Sequence, residues 1–417
     1  MAIHSPHQSL ARNRQGALPL HLTLAMLPWL ASNAALQLSK SGLSVSSAMP
    51  VMGASPAAAK LGLAWRKLLS DPKLAQAAEA EARKRAAKFL QGLSHYQKVP
   101  YERNVEEPAC VLKAGAVRLL SYACDKPDAP VVFLIPSLIN RYYILDLAQK
   151  ISFARYLQGC GIQVYIVDWD TPSEHEKNFD CGLYVTQVLV PMAQWIRNHS
   201  GGPVILGGYC MGGLLSLALA QISPDLADGL ALFAAPWDFF APSFPRVAMQ
   251  GVPEEIVSGY VNGRDLLPAE TIHTLFHCAN PYAFQNKISE FAGMNPDSPA
   301  TQEFLAVEHW VNDGVAMTRG VARDCLIEWS QRNAPASGQW RVGGQVIDPR
   351  KLTLPCFIAA PQDDRIVPSD CARPLAQLLK HHRLVEPRSG HVGMMVGSRR
   401  KTGLWEPFTQ WISGQFA

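Results

Sequence analysis

The chain has 417 residues, more than one minimal hydrophobic core needs, so two or three structural units are expected. Hydrophobic residues make up 48% and charged residues 17%, a balance typical of a globular protein and not of a disordered one. The net charge is only +4. The composition therefore gives no indication of nucleic-acid binding, which requires a concentrated basic face.

Cysteine usage indicates a reducing compartment. The chain has 9 cysteines, and no two of them have C-x-x-C spacing. Neither a disulfide framework nor a zinc site is indicated by this pattern. Several cysteines lie in apolar runs, where a thiol behaves as a small hydrophobic group. We therefore expect a cytoplasmic protein.

The N-terminal region, residues 1–108, is expected to be largely helical. Its segment 15–39 carries no formal charge, but two prolines interrupt it, and no apolar run approaches the roughly 20 residues that a spanning helix needs. A buried or surface-docking helical segment is the favoured interpretation, and a signal peptide is the alternative. A clear helix begins at Asp71, an N-cap followed by proline, and is expected to fray near Gly92.

From about residue 109, short apolar runs alternate with helical stretches. The strand candidates are 117–122, 131–135, 164–167, 204–207, 230–233, 356–360 and 383–385. The helix candidates are about 152–157, 183–198, 211–222 and 371–380. This alternation predicts an α/β fold, a mostly parallel sheet with helices on both faces.

An insertion interrupts the alternation. More than about 100 residues with helical patterning separate the strand candidates 230–233 and 356–360, far more than one crossover helix needs. The predicted domains are an N-terminal helical region (1–108), the first part of the α/β core (109–237), an inserted cap (238–345) and the second part of the core (346–417).

The strongest chemical signal is the segment 207–213, G-G-Y-C-M-G-G, between a predicted strand and a predicted helix. It fits the G-x-nucleophile-x-G elbow, in which a sharply turned backbone presents the nucleophile above the sheet. The N-terminus of the following helix points at the Cys210 sulfur and favours the reactive thiolate. The alternative interpretation is a glycine-rich turn with a buried cysteine.

A nucleophile of this kind needs a base and an acid, which follow it along an α/β-hydrolase chain in the order acid, then histidine. His391, in S-G-H-V-G after the last predicted strand, fits the base that removes the thiol proton. An aspartate would orient its imidazole. The candidate acids are Asp363 and Asp364, and Asp238 is a third candidate at another strand end.

Two backbone N–H groups are expected to bind the oxyanion. One belongs to Met211, directly after the nucleophile, and Leu138, in the loop after the strand candidate 131–135, is the best candidate for the other. A simple connecting loop is the alternative interpretation of the region around Leu138.

No metal or nucleotide cofactor is predicted. The histidines at 273, 277 and 309 lie in the insertion and lack an H-E-x-x-H pattern. Neither a G-x-G-x-x-G nor a Walker sequence occurs in a suitable context.

Several segments resemble the polyhydroxyalkanoate synthase family. They are H-Y-Q-K-V-P-Y-E-R (95–103), P-S-L-I-N-R-Y-Y-I-L-D-L (136–147), V-D-W (167–169), G-Y-C-M-G-G (208–213), D-R-I-V-P (364–368) and S-G-H-V-G (389–393). The resemblance covers roughly residues 90–240 and 350–400. The sequence departs from the family at Arg365, where histidine is usual, and at Ser369, where tryptophan is usual.

The resemblance implies an acyltransferase of the α/β-hydrolase superfamily with Cys210 as nucleophile, Asp364 as acid and His391 as base. It implies (3R)-hydroxyacyl-CoA as substrate, a polyester that grows as a thioester on Cys210, release of CoA, and no prosthetic cofactor. A homodimer and association with a polymer-granule surface are also expectations from the resemblance.

The departures leave two other hypotheses open. A hydrolase with the same Cys-Asp-His set would act as an acyl-CoA thioesterase or a polyester depolymerase. A non-catalytic scaffold on the granule surface is the third hypothesis, and the complete set of three residues argues against it. The aromatic residues of the insertion are compatible with the closed apolar channel of a synthase, but they fit the core of any cap equally well; they are Phe239, Phe240, Phe244, Trp310 and Trp329.

Overall fold

The computed structural model describes residues 71–244, 252–272 and 281–416. These residues form two compact units, each described separately below. The first contains the described residues up to Glu102 together with residues 281–305, and the second contains the remainder. The segment 15–39 and the histidines at 273 and 277 lie outside the described residues.

The secondary structure is defined in chain order. The α-helices are α1 Pro72–Lys98, α2 Phe153–Gly159, α3 Cys181–Tyr184, α4 Val190–His199, α5 Met211–Ile222, α6 Glu254–Asn262, α7 Pro281–Phe291, α8 Pro299–Asn312, α9 Arg319–Arg323, α10 Ser369–Ala372, α11 Pro374–Leu378, α12 His391–Val396 and α13 Glu406–Phe416. The strands of the main sheet are β1 Ala109–Ala114, β2 Val117–Tyr122, β3 Val131–Ile135, β6 Gln163–Asp168, β7 Val204–Tyr209, β8 Gly229–Phe233, β13 Cys356–Ala359 and β14 His382–Val385. The short strands are β4 Asp146–Ala148, β5 Ile151–Ser152, β9 Leu266–Leu267, β10 Met317–Thr318, β11 Arg341–Val342 and β12 Gln345–Val346. No described helix combines the length and the apolar composition needed to cross a membrane.

In the first unit, α1 begins where the sequence predicts. The Asp71 side chain accepts hydrogen bonds from the N–H groups of Lys73 and Leu74 and so caps the helix. The predicted fraying at Gly92 is wrong, because α1 continues to Lys98. A Cβ atom at position 92 would lie 1.9 Å from the carbonyl oxygen of Ile288 in α7. Gly92 is therefore a close-packing residue between two helices and not a helix end.

In the second unit, eight strands form one sheet in the order β1-β2-β6-β3-β7-β8-β13-β14. The pairs β1/β2 and β2/β6 are antiparallel, and the five pairs from β6/β3 to β13/β14 are parallel. Every residue of β3, β7 and β8 is buried, which explains why these strands are almost continuous apolar runs in the sequence. The carboxyl ends of the parallel strands meet at one edge, where binding sites of such sheets form.

Several elements differ from the prediction. Strand β1 was not predicted, and its residues are largely exposed at the sheet edge, so it lacks an apolar signal. The predicted helix 183–198 contains a π-helical turn at Val185–Leu189, and the predicted helix 371–380 is divided into α10 and α11 at Pro374. Proline at that position removes a backbone donor and ends the first piece.

Candidate active site

Cys210 occupies the junction between β7 and α5. Its backbone has φ 57° and ψ −125°, in the positive-φ region that residues other than glycine rarely adopt. Its N–H group donates a hydrogen bond of 2.8 Å to the carbonyl oxygen of Phe233 at the end of β8. A non-glycine residue held in a strained conformation between a strand and a helix is the geometry of a nucleophile elbow.

The glycines beside Cys210 permit close backbone approaches. A Cβ atom on Gly208 would lie 2.3 Å from the carbonyl oxygen of Gly212. A Cβ atom on Gly212 would lie 1.9 Å from the carbonyl oxygen of Ile135 and 2.8 Å from that of Pro136. The start of α5 therefore packs directly against the loop that follows β3, and any larger side chain at position 212 would separate them.

His391 and Asp364 meet beside the elbow. The Nδ1 atom of His391, the first residue of α12, lies 2.7 Å from Oδ2 of Asp364, which follows β13. The other carboxylate oxygen, Oδ1, accepts hydrogen bonds of 2.8 and 2.9 Å from the N–H groups of Ile366 and Val367. Both members of the pair are buried. The carboxylate is held in one orientation and can orient the imidazole.

The electrostatic environment of His391 favours its charged form. Burial lowers the pKa of His391, but the charge of Asp364, the neighbouring Cys210 and the hydrogen bond to Asp364 outweigh burial and raise the pKa to about 10. The ring also stacks on that of Tyr209, with centroids 5.1 Å apart, and the Tyr209 hydroxyl donates to the His391 carbonyl oxygen at 3.3 Å. His391 therefore pairs directly with Asp364 and lies beside the elbow that carries Cys210.

The other two candidate acids have different surroundings. Asp363 is exposed, and its backbone N–H donates to the carbonyl oxygen of Ser389. Asp238 closes its own turn, because its Oδ1 accepts from the N–H of Phe240 at 2.9 Å and from Nδ2 of Asn333 at 2.8 Å. Of the three aspartates, Asp364 is the one in contact with the histidine.

The two residues predicted to bind the oxyanion lie on adjoining segments. Met211 is the first residue of α5, where the backbone N–H groups lack partners within the helix. Leu138 is buried in the loop that Gly212 contacts through Ile135 and Pro136. That packing brings the two segments to the same side of the elbow.

A buried ion cluster around Asp146 was missed by the sequence analysis. Its carboxylate is fully buried and pairs with Arg103 at 3.2 Å and Arg155 at 2.9 Å, and it accepts a hydrogen bond from Tyr122 at 2.8 Å. Arg103 and Asp146 both lie in segments that resemble the synthase family, but 43 residues separate them. Only that shared resemblance could have suggested the contact, because local periodicity carries no information over such a distance.

Among the residues that the structure describes, no three histidine, cysteine, aspartate or glutamate side chains are grouped so that they could hold a metal ion. His309, the described member of the three histidines of the insertion, is buried in α8.

A family model described as "alpha/beta hydrolase fold" matches residues 130–398, more than half of the chain. The chain belongs to the α/β-hydrolase fold family. The predicted fold class is therefore confirmed, in agreement with the mostly parallel eight-stranded sheet.

Within this family, the chain is similar to proteins named poly(3-hydroxyalkanoate) polymerase subunit PhaC. It is 27% identical to that of Haloferax mediterranei over 73% of this chain and 63% of the relative, and 25% identical to that of Haloarcula marismortui over 69% and 62%. It is 24% identical to that of Allochromatium vinosum over 71% of this chain and 86% of the relative. The predicted resemblance to the polyhydroxyalkanoate synthase family is confirmed. The match spans less than two thirds of the length of the Haloferax mediterranei and Haloarcula marismortui relatives.

Proposed function

We propose that the protein is an acyltransferase that moves (3R)-hydroxyacyl groups from CoA to a growing polyester through a thioester on Cys210. The observation that carries this proposal is the buried His391–Asp364 pair beside the strained elbow at Cys210. The printed names of the relatives support the choice of a polymerase reaction. CoA enters as part of the substrate, and no prosthetic cofactor is required.

In the first half-reaction, His391 accepts the Cys210 proton, and the thiolate attacks the carbonyl carbon of the acyl-CoA. The negative charge that develops on the carbonyl oxygen is bound by the N–H groups of Met211 and Leu138. The bond between the carbonyl carbon and the CoA sulfur then breaks. The proton on His391 passes to the CoA thiolate, so CoA leaves as a thiol and the acyl group remains on Cys210.

In the second half-reaction, a hydroxyl group of a hydroxyacyl unit is the acceptor. His391 removes its proton while the hydroxyl oxygen attacks the thioester carbon, and an ester bond forms. The carbon–sulfur bond breaks, and the proton returns to the Cys210 sulfur. A thioester suits this exchange because its energy is close to that of the CoA donor. Asp364 keeps the imidazole oriented throughout and stabilises its cationic form.

Hydrolysis is the competing outcome of the same chemistry. If water replaces the hydroxyl group in the second half-reaction, the protein acts as a thioesterase or a polyester depolymerase. The triad supports both reactions equally, and the acceptor distinguishes them.

The test is incubation of the purified full chain with (3R)-hydroxybutyryl-CoA, with CoA release and the acyl product followed together. Chain-linked ester that disappears in Cys210→Ala but persists in Cys110→Ala, a change at an exposed cysteine, would support the proposal. Free hydroxy acid as the sole product would replace the polymerase with a thioesterase. CoA release that persists in Cys210→Ala would exclude the thioester mechanism.

Assembly and location are further proposals that rest on the family resemblance. We propose a homodimer in the cytoplasm that associates with the surface of polymer granules. Light scattering of the purified chain measures the first property, and co-sedimentation with isolated polymer granules measures the second.

A further inference from the structure

A single residue, Trp169, bonds to both ends of the loop that carries Leu138. Its Nε1 donates a hydrogen bond of 3.0 Å to the carbonyl oxygen of Pro136, where the loop leaves β3. Its own carbonyl oxygen accepts a hydrogen bond of 2.7 Å from Nη1 of Arg141, where the loop ends. Trp169 directly follows β6, the neighbour of β3 in the sheet, and only 1% of its surface is exposed. Residues 136–141 are therefore hydrogen-bonded at both ends to the same buried residue.

Arg141 is itself held by carboxylates. Its Nη1 lies 3.0 Å from Oδ1 of Asp170, and its Nε lies 3.9 Å from Oδ1 of the buried Asp168. These pairs keep the guanidinium charged and fix its orientation, because a planar group with several donors is restrained by each bond it makes.

The insertion braces the outer side of the same loop. The N–H of Val315 donates to the carbonyl oxygen of Ile139 at 2.8 Å, and a β-bridge joins Asn140 to Gly314. The indole N–H of Trp310 donates to the carbonyl oxygen of Arg141 at 2.8 Å. The inner side of the loop faces the elbow, since a Cβ on Gly212 would meet the carbonyl oxygens of Ile135 and Pro136.

We infer that Trp169 and Arg141 are positioning residues that hold the Leu138 N–H at the distance from Cys210 at which it can bind the oxyanion. The inference rests on the proposed function, because an oxyanion forms only if Cys210 attacks a carbonyl group. Neither residue touches the substrate. They fix the start and the end of the loop, and in this way they fix the position of the Leu138 N–H between those ends.

The expected effect is confined to steps that develop negative charge on a carbonyl oxygen. Removing one oxyanion donor typically lowers the rate by about 100- to 1,000-fold, and a shift of about 1 Å in a reacting group costs on the order of 100-fold. Loosening the loop should therefore slow acylation of Cys210 by about 10- to 100-fold. Alkylation by iodoacetamide displaces iodide at a saturated carbon and forms no oxyanion. The alkylation rate of Cys210 in the variants should therefore stay within about twofold of that in the unaltered protein.

The experiment compares these two reactions of Cys210 in the purified full chain. Acylation is the burst of p-nitrophenol from p-nitrophenyl butyrate, and alkylation is followed by mass spectrometry of the peptide that contains Cys210. The first variant is Trp169→Phe, which keeps an aromatic ring and removes the indole N–H donor. The second is Arg141→Lys, which keeps the positive charge and removes the planar guanidinium with its several donors. The matched controls are Trp195→Phe, a ring packed on Tyr165 and His199, and Arg319→Lys, an exposed partner of Asp265.

Slower acylation with unchanged alkylation in both loop variants, and no change in either reaction in the controls, is the expected result. Equal losses in both reactions would indicate a general disturbance of the elbow and overturn the inference. Unchanged acylation in Arg141→Lys would also overturn it, even if Trp169→Phe failed to fold. If the unaltered protein forms no acyl-enzyme with this ester or with acyl-CoA, the proposed function fails and the inference fails with it.

Discussion

The imidazole of His391 contacts the carboxylate of Asp364 through a single hydrogen bond of 2.7 Å between Nδ1 and Oδ2. The remaining oxygen of Asp364 is already occupied by two backbone N–H groups, so the carboxylate has one oxygen left for the histidine. The ring nitrogen on the opposite side, Nε2, is thereby left for the Cys210 thiol and for the acceptor.

Replacing Asp364 by asparagine should nearly abolish acyl transfer. The amide keeps the size of the side chain, but it can no longer stabilise a charged imidazole or fix the tautomer. In comparable triads this change lowers kcat by about 10⁴-fold. The matched control is Asp363→Asn, the exposed neighbour, for which activity should stay within about twofold. Steady-state CoA release measures both variants, and a large loss in Asp363→Asn alone would assign the acid to the other residue.

The contribution of the His391–Asp364 pair to stability should depend on pH. The pKa of His391 is raised from 6.5 to about 10 in the folded protein. A group whose pKa is raised by folding stabilises the folded protein fully at any pH below the pKa it has in the unfolded chain. This stabilisation is lost as the pH rises through the pKa of the group in the folded protein. The free energy of unfolding of the unaltered protein minus that of Asp364→Asn should therefore shrink between about pH 7 and about pH 10.5. Urea titrations at the two pH values measure it, and a constant difference would contradict the assigned ion pair.

Replacing Gly212 by alanine should destabilise the protein strongly. The new Cβ would lie 1.9 Å from the carbonyl oxygen of Ile135, which is backbone and cannot rotate away. We expect the free energy of unfolding to fall by about 3 kcal/mol or more, which is comparable to the larger effects of overpacking in protein cores. Gly414→Ala in α13 is the matched control, because no atom lies within 4 Å of its Cβ position and alanine favours the helix. Thermal unfolding compares the two, and equal Tm values would contradict the close packing of elbow and loop.

Replacing Asp146 by asparagine should also lower stability, by about 3–5 kcal/mol, because it leaves Arg103 and Arg155 without their buried counter-charge. The control is Asp265→Asn, which removes an exposed pair with Arg319 and should change stability by less than about 1 kcal/mol. Chemical denaturation measures both. Similar values for the two variants would show that the Asp146 cluster adds nothing beyond an ordinary surface pair.

Local sequence patterns predicted much of the second unit. Helix α5 begins and ends at the predicted residues, and strands β2 and β3 match their predicted bounds. These elements are largely buried, so they stand out in the sequence as apolar runs. The edge strand β1 lacks that signal, and the extent of α1 beyond Gly92 depends on a helix almost 200 residues away in sequence.

The sequence by itself determined the elbow at Cys210 and the histidine and aspartate candidates, because each belongs to a short motif that follows a predicted strand. The same short motifs carry the family resemblance. The family resemblance implied Asp364 as the acid, but only the tertiary structure showed its contact with His391 and the pairing of the buried charges around Asp146. The tertiary structure alone brought Trp169 to both ends of the loop that carries Leu138. The physical reason is distance along the chain. Propensity and periodicity act within a few residues, whereas these contacts join strand ends that become neighbours only when the sheet has formed.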